Sequence, residues 1–174
     1  EVVRGAAGVL YGADAMGGVV QLLTPEPKLH GRERESESQL YAAYDSADNG
    51  WVTRAQAEGG GGGFAFVGGA TWQDRSDRET GSGEKLVPSA YRSKAADLKF
   101  LWDLGGTADL MIAAQVLEQP ATPRVDELLP GFGQQHPASQ QFEFRPNRRS
   151  FLHGRYRLRK AAAWFDRLEI HLAR

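Results

Sequence analysis

The chain has 174 residues, of which 41% are hydrophobic, and this is enough apolar material to bury the core of one ordinary domain. Its 21 basic and 22 acidic side chains nearly cancel, which excludes the strongly basic surface that nucleic-acid binding needs. The lack of cysteine excludes disulfides, thiolate metal sites and cysteine nucleophiles. No apolar run reaches the ~18 residues of a transmembrane helix, but the alternating strands of a membrane β-barrel remain possible.

The chain opens with EVVRGAAGVLYGADAMGGVVQLLT, in which glycines separate two short apolar strands. A strand followed by a glycine-rich turn also opens a dinucleotide-binding fold. That interpretation fails because Gly12, Gly17 and Gly18 would break the long helix such a fold requires, and no P-loop lysine motif is present. We therefore expect the glycines to permit close packing within a short strand–helix–strand unit.

From about Leu40 onward, apolar and polar residues alternate, and this pattern predicts β-strands. In one segment, for example, Trp51 and Ala55 fall on one face while Arg54 and Glu58 fall on the other. Most segments approach the ~9–11 residues that a tilted strand needs to cross a bilayer. Seven strands are predicted, at residues 38–45, 50–59, 64–73, 95–104, 108–117, 151–159 and 164–173.

The predicted connections are short at one end of the strands and long at the other. Glycine-rich or alanine-rich turns near residues 60–63, 105–107 and 160–163 alternate with long loops at 74–91 and 119–149. This asymmetry is typical of a membrane-spanning meander. A loop of about thirty residues also argues against a compact soluble domain, unless the loop is functional.

Aromatic side chains are predicted at both rims of these strands. Trp51 and Trp72 fall at the rim with the long loops, whereas Phe64, Trp102 and Trp164 fall at the opposite rim. Tryptophan and phenylalanine favour the two boundaries between hydrocarbon and water, so two such bands indicate a lipid-facing surface.

The opening segment resembles the last part of the plug domain of TonB-dependent outer-membrane receptors. The matching positions are spaced as in that family's motif, and the one clear departure is Ala6, where proline is usual. The matches are Arg4, Gly5, Leu10, Tyr11, Gly12, Ala15, Gly17, Gly18, Val19 and Thr24. The resemblance covers about 24 residues directly, and the remainder fits by its strand pattern.

The resemblance implies an all-β membrane protein. The expected fold is a partial transmembrane antiparallel β-barrel of about seven up-and-down strands, preceded by the strand–helix–strand end of a plug. We assign residues 1–32 to the plug end and residues 33–174 to the first barrel strands. Because the chain begins and stops within predicted strands, we expect it to be a fragment of a longer protein.

The family also implies a function and a location. Such receptors lie in the outer membrane of Gram-negative bacteria, contact its lipid, and take up a scarce ligand such as a ferric siderophore, haem or cobalamin. TonB supplies the energy and would engage a segment upstream of Glu1. No cofactor, catalytic arrangement or nucleic-acid partner is indicated, so we do not expect an enzyme.

Two groups of residues are candidate sites. A mixed-charge wall is expected to face the barrel lumen, and most such walls contact only water and the plug. Its members are Arg54, Glu58, Asp97, Lys99, Arg155, Arg157, Arg159, Arg167 and Glu169. The longest loop offers substrate-contact candidates, because loops on a rigid scaffold commonly carry binding. These are Arg124, Asp126, Glu127, Phe132, His136, Phe142 and Phe144.

His136, His153 and His171 lack a metal-ligand spacing, so no metal site is predicted.

The protein class and the ligand stay open at this stage. An unplugged outer-membrane porin or adhesin could be built on the same wall, and a soluble all-β binding domain would pack its apolar faces against a second sheet. The identity of the ligand does not follow from these residues.

Overall fold

The computed structural model describes residues 2–5, 18–20, 24–29, 33–162 and 165–174. Most of the strand residues there belong to one antiparallel sheet. Its strands are β3 (Glu35–Asp45), β4 (Gly50–Gly61), β5 (Phe64–Arg75), β8 (Tyr91–Asp103), β9 (Ala108–Gln119), β12 (Asn147–Ala162) and β13 (Phe165–Ala173). The fold is therefore all-β, as the alternation predicts.

The seven strands lie in the order β13-β12-β9-β8-β5-β4-β3, so each neighbours the next long strand of the chain. This up-and-down order and the number of strands confirm the sequence prediction. The clearest difference is β12, which begins at Asn147 rather than near Phe151. Its polar first residues still pair with β9, from Asn147 opposite Gln119 onward, because the ladder is made by backbone groups and does not require apolar side chains.

Each strand presents alternate residues to the two sides of the sheet, and paired residues share a side. We call the side that carries Leu40, Ala55, Ala70 and Ala96, which are aligned across four strands, the apolar face. Large side chains are exposed on this face, Leu40 at 78% and Leu172 at 73%. Among the described residues, no second sheet packs against it.

The opposite side, which we call the charged face, contains most of the buried side chains of the sheet. Ala65, Val67, Met111 and Ala113 are buried there beside paired ions, and so is Asp109. Of the buried apolar residues in the described part of the sheet, only Ala108 lies on the apolar face, opposite Leu158. Segment 24–29 lies over part of the charged face.

The connections divide between the two ends of the sheet as predicted. Turn 46–49 and the loops 76–90 and 120–146 lie at one end, which we call the loop end. Turns 62–63 and 104–107 lie at the other, where Gly62, Gly105 and Gly106 adopt positive φ angles that favour glycine in tight turns.

The two long loops have structure of their own, which the sequence did not predict. Loop 76–90 contains the pair β6 (Arg78–Glu79) and β7 (Lys85–Leu86). Loop 120–146 contains the pair β10 (Thr122–Pro123) and β11 (Glu143–Phe144), with the helix α1 (Val125–Leu128) between them. No helix in the described ranges has the length and apolarity needed to cross a membrane.

Aromatic side chains gather at both ends of the apolar face. Trp51 lies against Tyr44, with ring centroids 5.0 Å apart, at the loop end. Phe64 and Trp102 lie 5.7 Å apart at the opposite end, and Phe100 joins them. Trp164 belongs to the same predicted band but lies outside the described residues.

The opening segment, for which the sequence predicts the end of a plug, is described only in part. β1 (Val2–Arg4) pairs with β2 (Gly18–Val20) in antiparallel register, with Arg4 opposite Gly18. Gly5 has a φ of +94°, a conformation that glycine adopts without strain. The helix expected between these strands, together with Leu10, Tyr11, Gly12, Ala15 and Gly17, lies outside the described residues.

A buried ion pair anchors the loop end of the sheet. Asp48, 3% exposed, accepts a hydrogen bond of 2.7 Å from Arg75 Nη1, and Asp45 accepts one of 3.2 Å from the same atom. Two backbone hydrogen bonds, from Ser76 to the Asp48 carbonyl and from Glu79 to the Ala47 carbonyl, join turn 46–49 to the next loop. The ion pair and these two backbone hydrogen bonds therefore join the turn that follows β3 to the loop that follows β5.

We expect Arg75→Ala to lower the free energy of unfolding by about 2 kcal/mol or more, because the buried Asp48 carboxylate would lose its cation. Equilibrium unfolding of the full-length protein in denaturant measures this change. Arg92→Ala is the matched control, since Arg92 pairs with Asp74 at 3.0 Å on an exposed surface and such pairs contribute roughly 0–1 kcal/mol. Equal effects of the two substitutions would contradict the assigned role of Arg75.

Candidate functional site on the charged face

Arg54 and Asp97 form the first ion pair of the charged face. Arg54 Nη1 and Nη2 donate to Asp97 Oδ1 and Oδ2 at 2.9 and 3.2 Å, a two-point contact across β5 from β4 to β8. Arg54 also donates to Thr71 Oγ1 at 3.1 Å. Planar, two-point pairing of this kind holds the guanidinium in one orientation.

A glycine makes room for this arginine. Gly69 is paired with Gln56 and Asp97, one row from Arg54, and a Cβ atom there would lie 2.7 Å from Arg54 Nη2 and 2.9 Å from the Ala55 carbonyl oxygen. The guanidinium reaches Asp97 because the intervening strand has no side chain at that position.

Lys99 binds the chain segment that precedes the sheet. Its Nζ donates to the Pro25 carbonyl at 2.8 Å and to the Thr24 carbonyl at 3.2 Å. Arg155 Nη1 donates to Glu26 Oε1 at 3.3 Å, and Pro27 is buried. Two cations from different strands thus hold segment 24–29 against the charged face.

Asp109 is the centre of the densest group of charges, which we call the Asp109 cluster. Only 2% exposed, Asp109 accepts a hydrogen bond of 2.7 Å from Arg159 Nη2. Arg157 and Arg155 approach its oxygens to 3.9 and 4.0 Å. A carboxylate with so little solvent requires this surrounding positive charge.

The Asp109 cluster is connected to the edge strand and to segment 24–29. Arg157 Nε donates to Glu169 on β13 at 2.5 Å, and Arg155 is the residue that contacts Glu26. One oxygen of Asp109 accepts no hydrogen bond within the described ranges. The Asp109 cluster therefore brings together charged side chains from segment 24–29, β9, β12 and β13.

The remaining wall residues are less connected. Glu58 lies in the aligned row between Glu37 and Val67 and has no ion-pair partner in the described part of the chain. Arg167 approaches Glu169 only to 3.8 Å and is largely exposed. All nine predicted wall residues fall on the charged face, and the structure brings seven of them into hydrogen-bonded or ion-paired contacts within 3.5 Å: Arg54, Asp97, Lys99, Arg155, Arg157, Arg159 and Glu169.

Sequence reasoning missed two elements of this site. Asp109, the most buried charge of the site, and Glu26 were not selected as candidate site residues. His153 and His171 also meet, with Nε2 and Nδ1 3.2 Å apart. None of these contacts has a signal in the local sequence, because the partners come from different strands.

Four of the other six candidates in the long loop lie close to Arg124. The guanidinium lies 5.4 Å from the Phe142 ring centroid and 5.7 Å from that of Phe144. It also pairs with Asp126 and approaches Glu127 to 3.7 Å. The hydrogen bond from Arg124 lowers the pKa of Asp126 below its usual value, which keeps the carboxylate charged.

The other two loop candidates stand apart. Phe132 is fully exposed beside the turn in which Gln134 donates its backbone N–H to the Gly131 carbonyl. His136 is exposed and has no hydrogen-bond partner among the residues described. The contacts of Arg124 therefore hold the base of the loop together near β10 and β11, whereas the ring of Phe132 is exposed away from them.

No group of three or more histidine, cysteine, aspartate or glutamate side chains in the described ranges is arranged to hold a metal ion. The contacts described above are ion pairs and hydrogen bonds within the protein. The arrangement is suited to holding a polypeptide segment against the sheet and to presenting charge beside it.

The described residues define an open, up-and-down antiparallel wall with one exposed apolar face and one charged face. Comparison with solved structures finds a protein that contains such a wall. The chain is similar to the copper transporter OprC, with a TM-score of 0.75 and 17% sequence identity. The match covers 99% of this chain but 24% of the transporter, so the chain spans about a quarter of its length.

At this identity the similarity concerns the fold. No protein-family model matches the sequence. No curated protein matches it either.

If Lys99 and Arg155 hold segment 24–29, replacing both with alanine will release it. The loss of these hydrogen bonds removes about 1 kcal/mol, so amide hydrogen exchange at residues 26, 28 and 29 should accelerate about fivefold. Arg167→Ala is the control, because Arg167 lies on the same face and has no contact with the segment. Unchanged exchange in the double variant of the full-length protein would show that these cations do not hold the segment.

Proposed function

We propose that this chain is part of an outer-membrane transporter of the TonB-dependent type, comprising the end of its plug, residues 1–32, and the first strands of its barrel, residues 33–174. The observation that carries the proposal is the division of the sheet, with exposed apolar side chains on one face and segment 24–29 bound to the other. The fold similarity to a copper transporter and the plug-like motif support it.

The apolar face has the features of a surface in contact with lipid. Its side chains are exposed and lie between two aromatic bands, and membrane barrels have such a belt outside and polar residues inside. The strands β3 and β13 lack a neighbour on their outer sides among the described residues. A lipid bilayer cannot satisfy those backbone groups, so further strands of the complete protein would pair with both edges.

The charged face would then line the lumen. Segment 24–29 joins the plug-like motif to β3, and it is attached to the wall by Lys99 and Arg155. We infer that these contacts fix where the plug ends and the barrel begins. This attachment favours a plugged transporter over an unplugged porin or adhesin, whose lumen contains no such segment.

A soluble all-β binding domain is the other alternative. It requires a second layer over Leu40, Trp51, Ile112 and Leu172, all of which are exposed. The protein is proposed to have no catalytic role, since the Arg54–Asp97 pair and the Asp109 cluster are engaged in ion pairs rather than directed at a shared open position.

The cargo we propose is a metal-containing nutrient. The family resemblance points to a ferric siderophore, haem or cobalamin, and the structural similarity adds copper to these candidates. The braced loop at the loop end, with Arg124 between Phe142 and Phe144, would form part of the external vestibule. It offers one cation and two aromatic surfaces to a ligand.

An arginine on the apolar face tests the membrane orientation. Leu98 lies midway along β8 between Lys94 and Trp102, so Leu98→Arg should destabilise the bilayer-inserted full-length protein by about 2–4 kcal/mol. Tyr41→Arg is the control, because Tyr41 is exposed on the charged face. Unfolding in lipid vesicles measures both variants, and a Leu98→Arg protein as stable as the control would refute the lipid-facing assignment.

Uptake by intact cells tests the function itself. Cells that express the full-length protein should accumulate one of four labelled cargoes, namely a ferric siderophore, haem, cobalamin or copper, and should lose that uptake when TonB is deleted. Loss of uptake on Arg124→Ala, with normal amounts of protein in the outer membrane, would assign the loop to cargo binding. Uptake that persists without TonB would contradict the proposed energy coupling.

A further inference from the structure

The apolar face is not uniform. A groove of about 1080 Å³ lies across the strands from β3 to β12 at the loop end, and a second hollow of about 420 Å³ continues it toward the middle of the sheet. The two share Ala96 and Val116. We call them together the lipid groove.

The groove exists because small side chains are aligned between large ones. Leu40, Ala55, Ala70, Ala96 and Val116 are successive partners in the sheet, so three alanines form the floor between two larger walls. In the next row Ala57, Gly68 and Ala114 are small but Leu98 is large, and the second hollow ends at Phe66. Its lining is mostly apolar along this length.

The end of the groove nearest the loops has a different chemistry. Lys94, Glu118 and Arg148 are aligned in the next row, beside Trp72. Arg148 Nη2 pairs with Glu118 at 2.9 Å. The ammonium group of Lys94 has neither an ion-pair nor a hydrogen-bond partner among the described residues.

The groove follows β5. Trp72 and Phe66 are six residues apart on this strand, which corresponds to about 20 Å. Phe66 pairs with Phe100, so this end of the groove lies beside the aromatic side chains at the opposite end of the apolar face. An acyl chain that enters at Trp72 would thus lie along β5 as far as Phe66.

We propose that the lipid groove binds one membrane lipid with an anionic phosphate headgroup, whose acyl chain lies over Ala55, Ala70 and Ala96 and whose phosphate pairs with Lys94. This inference rests on the proposed membrane location. The uncompensated cation at the mouth selects a negative headgroup, and the long-loop end places that headgroup in the outer leaflet.

Native mass spectrometry of the full-length protein in nanodiscs tests the proposal. When the nanodiscs contain equal amounts of dimyristoyl phosphatidylglycerol and dimyristoyl phosphatidylcholine, the wild-type protein should retain one molecule of phosphatidylglycerol rather than phosphatidylcholine. Ala70→Phe fills the floor and should lose the bound lipid, while Lys94→Glu should abolish the preference for the anionic headgroup. Soluble glycerol phosphate should not displace the lipid, because it has no acyl chain.

Two matched controls accompany these variants. Ala42→Phe adds the same side chain on the apolar face outside the groove, and Lys85→Glu makes the same charge change in an exposed loop. Both should retain the lipid. Equal lipid retention by Ala70→Phe and Ala42→Phe, or a protein dimer without lipid, would overturn the groove assignment.

The outcome also separates this inference from the proposed function. A full-length protein found in the aqueous fraction, and not inserted in nanodiscs, would refute the membrane location itself. A correctly inserted protein that retains lipids without preference and independently of Ala70 would refute only the groove.

Discussion

The backbone ladder of the seven-stranded sheet is the constraint on which the other features depend. Because paired residues lie on the same side, the registers from β3 to β13 assign each side chain to one of two faces. A shift of one residue in any strand would place its charges among the apolar residues. The buried Asp109 would then lie apart from its arginines, and the floor of the lipid groove would be interrupted by Asp97 or Arg54. The alternating pattern and the ladder therefore have to agree strand by strand.

The two faces differ in what their side chains contact. On the charged face, cations from several strands balance Asp97, Asp109 and Glu26, and the partners come from positions as far apart as residues 26 and 155. On the apolar face, the ring contacts lie in the aromatic bands, and many of the large side chains are exposed. A protein in water would cover such a surface, whereas a bilayer provides its complement without further protein. The same division explains why most of the buried side chains of the sheet lie on the charged face.

The order of the strands and the assignment of their faces were predictable because both follow from local patterns. Alternation over about ten residues identifies a strand and its two sides, and short glycine-rich turns make consecutive strands neighbours. The wall residues Arg54, Asp97 and Arg157 were selected on this basis and lie on one face. The internal order of loop 120–146 was not predictable, since its two-residue ladder depends on Thr122 meeting Phe144 across more than twenty residues. The plug assignment of the opening segment stays a prediction, and part of that segment lies outside the described residues.

The amino-acid sequence by itself determined that the chain is a series of two-faced strands with long connections at one end, because a period of two and turn residues act over short distances. Tertiary structure alone decided which charges meet. Lys99 reaches the carbonyl groups of residues 24 and 25 across more than seventy residues, and Gly69 lets Arg54 span a strand to Asp97. Pairing across the sheet brings together groups that no local pattern relates. For the same physical reason the alanine floor between Leu40 and Val116 becomes a groove only when five strands are aligned.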